Sequence, residues 1–472
     1  LNRVVSFVLL PLYLSYLTPE NYAVMDLLYF TLAFLSIVLE VGATTVIGRF
    51  YYDSEDKNIQ NEIVATAFYG FGLISTVVIL ITSFFSNQLS ELIFKTAEHG
   101  NLFELAFYGL ALDLFINIAF SYYRVQHKSL SLLIISVLRL VGQLSLNILF
   151  IVYYDMGIKG ILLSTLIING AMMLYIFPTM IRDVGFRFSY SKFKDMVLFG
   201  LPLVPSNFMA YIVNVSDRFF LNSFAGLTQT GLYTLAYRFG VLIHELISSP
   251  FAQIWTPRRM EMFNKEGTDD VFKKIFTYFT FFMLFVGLGI SVSIKHLLQI
   301  MADESYLSAY KIVPLLVLAQ IIVSFHLHFN VSILFKKKTK YIMYINIISA
   351  SINLILNYVL ISRYGMWGAA WSTLISFLIK IILTYFAGNS LQKIQLEWGR
   401  LSILFILSTA LYYPIMFVEF GEPYLDFFVK IALAFSFPLI LILFRFFTVD
   451  EIAKGKELIG LTYRKFLNKF TK

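Results

Sequence analysis

Gly157-Ile158-Lys159-Gly160-Ile161-Leu162-Leu163-Ser164-Thr165-Leu166-Ile167 returns 208 residues later as Gly365-Met366-Trp367-Gly368-Ala369-Ala370-Trp371-Ser372-Thr373-Leu374-Ile375, with six of the eleven positions identical. The same offset lays Ser15-Tyr16 on Ser223-Phe224 and Ala23-Val24 on Gly231-Leu232. One spacing that serves both ends of so long a stretch marks a duplicated unit rather than a chance motif. Each copy of the quoted block opens an apolar run of about twenty residues, long enough to cross a ~30 Å hydrocarbon layer as a helix.

Working outward, such runs recur along the whole chain, near 1–17, 23–48, 63–85, 102–123, 129–154, 157–181, 196–224, 229–254, 275–298, 309–334, 341–362, 366–388, 401–418 and 427–447. Of 472 residues 58% are hydrophobic and only 14% charged, too few charges to cover a soluble surface. Counting alternate connections plus the tail, one side of these fourteen spans carries 25 of the 37 Lys and Arg and the other side only a few. That asymmetry is the positive-inside pattern. It predicts an all-α polytopic membrane protein with fourteen transmembrane helices and both termini cytoplasmic. The net charge of +8 then reports topology and gives no support to nucleic-acid binding. The chain contains no Cys, which excludes disulfides, thiolate metal sites and Cys nucleophiles.

Spans 1–6 match spans 7–12. Six is even, so the two units are expected as parallel repeats related by an axis along the membrane normal. The expected organisation is an N-terminal six-helix bundle (1–181), an interfacial cytoplasmic linker (182–195), a C-terminal six-helix bundle (196–388), two accessory helices (389–448) and a basic amphipathic cytoplasmic tail (449–472). The offset maps the start of the seventh span to a point before Leu1, so the first span reads as truncated. The accessory pair offers Leu404, Phe405, Leu407, Leu411, Phe427, Phe428, Leu433 and Phe437 as a groove for a lipid tail, or simply as lipid-facing surface.

A charge at the bilayer centre costs about 2.5–3.5 kcal/mol on insertion scales, so those inside the spans need partners or water. Arg3, Arg139 and Arg238 lie near the midplane by residue count. Asn207, Tyr211, Asn214 and Arg218 follow i, i+4, i+7, i+11 and form one polar stripe. Arg238 and Glu245 share a face of the next span. Such stripes face either a hydrated central cavity or neighbouring helices. Asp113 has a depth similar to that of Arg139 and is placed to pair with it. Asp217 points about 100° from Arg218, which suits an intrabundle role. Glu40 and Lys380 are further intramembrane charges that serve within a bundle or in coupling. Arg49 either marks the interface or guards the cavity mouth. The spacing of Asn346, Asn353 and Asn357 reads as interhelical hydrogen bonding, and that of His326 and His328 as packing. No phosphate loop, nucleophile elbow or zinc-binding His pair is present, and no connection is long enough for an ATPase domain. The chain is expected to be neither an enzyme nor a primary pump, and to need no cofactor.

Leu10-Pro11-Leu12-Tyr13, then Tyr16-Leu17-Thr18-Pro19-Glu20-Asn21-Tyr22, Val41-Gly42 and Arg49 stand in order in the first repeat. Gly200-Leu201-Pro202-Leu203-Val204-Pro205, Ser216-Asp217-Arg218-Phe219, Gly231-Leu232-Tyr233 and Ala236-Tyr237-Arg238 follow in the second. As a colinear set they resemble the Wzx-type polysaccharide flippases of the multidrug/oligosaccharidyl-lipid/polysaccharide exporter superfamily. Asn2-Arg3-Val4-Val5-Ser6-Phe7 and Tyr237-Arg238-Phe239 are similar to arginine contexts of the more distant lipid II flippases. The resemblance implies an alternating-access carrier of the bacterial cytoplasmic membrane that moves a polyprenyl-diphosphate-linked oligosaccharide for O-antigen or another surface polysaccharide. It implies Arg3 and Arg238 on the diphosphate; the polar stripes and charge positions add Arg218, Arg49, Asn207, Tyr211, Asn214 and Glu245 as candidates lining the diphosphate and sugar cavity. A coupling ion (H+ or Na+) and partnership with a polysaccharide polymerase and chain-length proteins follow from the same resemblance. The alternative is a cation-coupled multidrug exporter of the same fold, whose substrates would favour an acidic or aromatic cavity.

Overall fold

The 208-residue spacing reappears in the backbone. Gly157 and Gly365 both take positive φ, 52° and 54°, and each is preceded by a single π-helical turn, Leu149–Tyr153 and Asn357–Ile361. The two turns lie at the same offset as the sequence repeat. At Gly365 the backbone (φ 54°, ψ −131°) enters a region that only glycine occupies without strain. The glycine at the head of each quoted block is thus a corner residue, and the apolar run that follows is the returning helix.

The computed structural model describes residues 9–40, 43–262, 268–448 and 451; these are overwhelmingly helical and include no strand. The sequence readings of a shortened first span and of an amphipathic tail fall largely outside them. The helices are α1 (Leu10–Tyr16), α2 (Pro19–Glu40), α3 (Ala43–Tyr51), α4 (Lys57–Ser83), α5 (Ser86–Phe94), α6 (Gly100–Val125), α7 (Ser129–Ile148) and α8 (Gly157–Val184). They continue as α9 (Tyr190–Gly200), α10 (Leu203–Ile243), α11 (Ser249–Met262), α12 (Thr268–Met301), α13 (Val313–Ser324), α14 (His326–Phe329) and α15 (Val331–Phe335). The last are α16 (Lys340–Leu356), α17 (Ser362–Leu391), α18 (Trp398–Phe417), α19 (Pro423–Ala434) and α20 (Ser436–Leu443).

Among the described residues ten helical stretches are long and apolar enough to cross a membrane. That figure is lower than fourteen partly because Lys340–Leu391 joins two expected spans and α10 is not among the ten. α10 turns at Gly226 (φ 83°, ψ 172°) and resumes at once. The stretch Lys340–Leu391 runs through Gly365 in the same way.

The chain divides into two compact units. The described part of the first falls within Leu1–Leu235, Met301–Ala309 and Ala350–Thr373. Its core is set by Phe68, Phe115, Ile116, Ala119, Tyr122, Ile176 and Met180, where α4, α6 and α8 pack together. Asp56 starts α4 by accepting from the Asn58 N–H at 2.8 Å, an N-cap that satisfies an orphan donor. The predicted linker is docked on this unit. Phe186 stacks on Tyr69 (4.5 Å between centroids), Phe193 packs on Phe71, and Lys192 pairs with Glu62 at 2.8 Å.

The second unit has its described residues within Ala236–Ile300, Tyr310–Ser349 and Leu374–Lys472. α12 is its centre. Phe276 packs on Phe325, His328 and Phe329, while Phe281 stacks on Phe437 of the accessory pair at 5.8 Å. Of the eight apolar residues read as a lipid groove, Leu404 and Phe437 are fully buried and serve packing instead, whereas Phe428 is exposed.

Candidate functional site

Arg218 is 3% exposed. Its Nη1 donates to Asp217 Oδ1 at 2.7 Å and to the Asn214 carbonyl at 2.7 Å. The guanidinium lies over the rings of Phe30 and Tyr233, 5.3 and 5.4 Å from their centroids. Asp217 also accepts from the Tyr233 hydroxyl at 2.5 Å, and that hydroxyl meets Thr373 Oγ1 at 3.2 Å. The polar stripe, open in sequence between a cavity and neighbouring helices, thus delivers Arg218 into a buried ion pair with its chain neighbour. The pair holds its own counter-charge, which removes Arg218 from any sum of free positive charge.

Around this pair the repeated Ser-Thr dipeptide acts as a hub. Asn357 donates to Ser216 Oγ (3.3 Å) and Asn353 Oδ1 (3.1 Å) and accepts from Ser372 Oγ at 2.6 Å. In the first copy Gln143 donates to Asn147 (3.0 Å) and Thr165 (3.4 Å), and Asn147 donates to the Tyr13 hydroxyl at 2.9 Å. The block that reveals the repeat therefore supplies, in both copies, hydroxyls that fasten a short polar network inside the helices.

A second intramembrane network joins Glu40, Asp113 and Arg139. Arg139 pairs with Asp113 at 2.5 Å and donates to Asn169 Oδ1 at 2.9 Å. Asn117 bridges Asp113 (3.4 Å) and Glu40 (3.2 Å). These charges satisfy one another within the first unit, as intramembrane charges must.

At one end of the first unit the two repeats are sewn together. Thr228 donates to Glu20, and these two residues are themselves 208 apart, so the contact joins equivalent positions of the two copies. A Cβ on Gly231 would lie 1.9 Å from the Pro19 carbonyl oxygen, a backbone approach only glycine permits. The Leu14 carbonyl accepts from the Asp303 N–H at 3.1 Å, and Asn222, the counterpart of Leu14, donates to the Ile93 carbonyl. Tyr306 donates to the Leu17 carbonyl at 2.9 Å and packs edge-on against Tyr22. Asp303, outside the spans, accepts from the Ser305 hydroxyl and N–H, which hold its carboxyl below the usual carboxylate range. Further along the same seam Tyr211 donates to the Phe30 carbonyl at 2.6 Å.

The remaining predicted positions fall in both units. Arg49 is exposed and ion-paired with Asp53 one turn on. Asn214 is exposed and Tyr211 half-buried. In the second unit Arg238 lies half-buried on α10, Glu245 sits in the π-helical turn His244–Ser248, and Lys380 is half-buried on α17. Arg3 and the side chain of Asn207 lie outside the described residues.

A model of the family described as polysaccharide biosynthesis protein matches residues 1–263, more than half of the sequence. The chain belongs to this family. No curated protein sequence matches it. Among solved structures, a lipid II flippase MurJ in an inward closed conformation aligns with a TM-score of 0.70 at 15% identity, covering 94% of this chain and 97% of that one. An inward-facing multidrug resistance MATE family transporter of the MOP superfamily aligns at 0.61, 15% identity, with 86% and 96% covered. At these identities the likeness is one of fold. The polysaccharide biosynthesis family member described here is thus a multi-pass helical membrane protein with the fold of that transporter superfamily.

Sequence reasoning passed over Tyr233 and Tyr306, whose hydroxyls complete the Arg218 network and the seam; Tyr233 sits in an apolar run and Tyr306 in the short connection after Asp303. It also passed over Trp255 and Arg259, counted as loop residues although their i, i+4 spacing puts them on one helical face.

Proposed function

We propose that this protein is a flippase that carries a polyprenyl-diphosphate-linked oligosaccharide across the bacterial cytoplasmic membrane by alternating access, for O-antigen or another surface polysaccharide. Membership of the polysaccharide biosynthesis family, together with a lipid II flippase fold over 94% of the chain, is the observation that carries the reading. Charge supports it against export of organic cations. Arg238, half-buried on α10, suits a diphosphate, which arginine grips through two parallel donors. Arg3 is its proposed partner. With Arg218 neutralised by Asp217, these two arginines against Glu245 supply the positive character. The protein acts without bond-making chemistry or a cofactor, is driven by an H+ or Na+ gradient, and hands its glycan to a polymerase and chain-length proteins. Fourteen spans with both termini in the cytoplasm belong to the same reading.

The seam at Leu14–Asp303, Glu20–Thr228 and Pro19–Gly231 lies at the end that the charge asymmetry assigns to the outside. It is the contact set that must part for release outward.

Reconstituted into proteoliposomes, the protein is expected to move a fluorescent polyprenyl-diphosphate glycan between leaflets. Arg238→Ala should reduce the rate at least tenfold with normal protein insertion. Transport of an organic cation with no glycan movement would overturn the reading in favour of the exporter.

A further inference from the structure

Arg259 ends a helix on the side rich in Lys and Arg, yet it is 2% exposed, among the most deeply buried large side chains of the molecule. Its Nη2 donates to Asn330 Oδ1 at 3.2 Å. Its Nε and Nη1 are buried without a hydrogen-bond partner among the described residues, and so is the indole Nε1–H of Trp255, one turn earlier on the same face of α11. Three donors are therefore turned inward with nothing described to receive them. Burial pushes the Arg259 pKa down only to about 10, so the guanidinium stays charged at physiological pH. A buried, charged and half-satisfied guanidinium is among the most unfavourable groups a fold can hold, unless an anion completes it.

Arg259 and Trp255 line a small recess open on one side. Phe272 and His328 form apolar walls; Lys393 and Asp269 stand exposed at its edge. The non-helical segment from Gln392 to Gln395 runs across it and is held by the Ile394 N–H on Asn389 Oδ1 at 2.8 Å. All of these residues belong to the second unit. A planar fork of guanidinium donors and an indole N–H, with the Lys393 ammonium and the Asp269 carboxylate both at the rim, suit an oxyanion carrying several acceptor oxygens. We propose that this recess is a binding site for a phosphate-class oxyanion. The anion is presented either by an anionic lipid headgroup or by a soluble phosphate. The site does not rest on the transport reading: it would stand whatever the protein carries.

The test uses the purified full chain and thermal unfolding, because a ligand held only by the folded state raises the midpoint in a saturable way. One arm adds inorganic phosphate in neutral detergent, against chloride at equal ionic strength. The other compares nanodiscs of phosphatidylcholine with nanodiscs containing phosphatidylglycerol, in phosphate-free buffer. A saturable rise in the first arm assigns a soluble phosphate, and a rise in the second assigns a lipid headgroup; either supports the site. Arg259→Gln should abolish the rise, Arg259→Lys should keep part of it, and Trp255→Phe, which removes the indole donor and keeps an aromatic body, should weaken apparent affinity several-fold. If Arg259→Gln does not fold, Trp255→Phe and the exposed Lys393→Gln keep the test decisive. No rise in either arm, or a rise unchanged in every variant that folds, would overturn the site.

Discussion

Asp217 and Arg218 are adjacent in sequence and leave an ideal helix about 100° apart, yet their side chains meet at 2.7 Å with 6% and 3% of their surface exposed. The meeting depends on the length of the arginine, which bends back to its own helix, and on Tyr233, which pins the other carboxylate oxygen. Breaking a buried pair by removing one member leaves an uncompensated charge and costs roughly 3–5 kcal/mol. Asp217→Ala should therefore lower the unfolding midpoint sharply, Tyr233→Phe should cost only about 1 kcal/mol, and Asp217→Leu with Arg218→Met should recover much of the loss. Equal destabilisation in the single and double variants would show that packing, not charge, sets the effect. No periodicity argument finds this pair, because helical phase locates Cβ atoms and says nothing of where a long side chain ends. The same limit hid Arg259, which the sequence reading counted as a cation of a connection while it lies on α11 with its guanidinium turned inward. Spacing did bring Arg139 and Asp113 together on paper, since both sit at one depth on neighbouring helices.

Elements were more legible than side chains, because backbone constraints leave a mark on residue type. Gly157 and Gly365 announce a corner by identity alone, and the π-helical turns before them follow at the same offset. The joining of two crossings in one helical stretch was not legible: the sequence marks breaks near Gly226 and Gly365, but not that a one-residue corner lets the helix resume at once. Gly365→Ala should cost about 1–3 kcal/mol, the usual strain of an L-residue in a glycine-only region, read as a lower unfolding midpoint. An unchanged midpoint would mean that the corner relaxes without its glycine. At the seam, Glu20→Cys with Thr228→Cys should cross-link under mild oxidation in this Cys-free chain. If the seam opens during the cycle, the oxidised double variant should lose transport and regain it on reduction. Full transport by the cross-linked form would assign these contacts to scaffold and place the moving parts elsewhere.

For the molecule as a whole, the accessory pair α18 and α19–α20 has two faces with different expected fates. One face is structural. Leu404 and Phe437 are fully buried, Phe281 stacks on Phe437, Phe285 packs edge-on against Phe435, and Lys295 pairs with Glu419 at 2.6 Å. Lys430 is buried and donates to the Met416 carbonyl at 3.1 Å. Removing residues 400–472 would strip α12 of these partners and leave Lys295 without its carboxylate. In a membrane, helix association rests on packing and interhelical hydrogen bonds, since lipid already satisfies apolar surface. The loss should therefore appear as poor insertion or a lowered unfolding midpoint, not as a selective loss of transport. The other face carries Phe428 and Leu443, 66% and 84% exposed, and is free to meet an acyl or polyprenyl chain. A photo-crosslinker placed at Phe428 or Leu443 should capture a polyprenyl-linked probe, and one at Leu404 or Phe437 should not. Equal capture at buried and exposed positions would point to non-specific labelling. Capture at neither exposed position, with transport intact, would confine the tail to the surfaces of the twelve-span core and leave the accessory pair a purely structural clasp on α12.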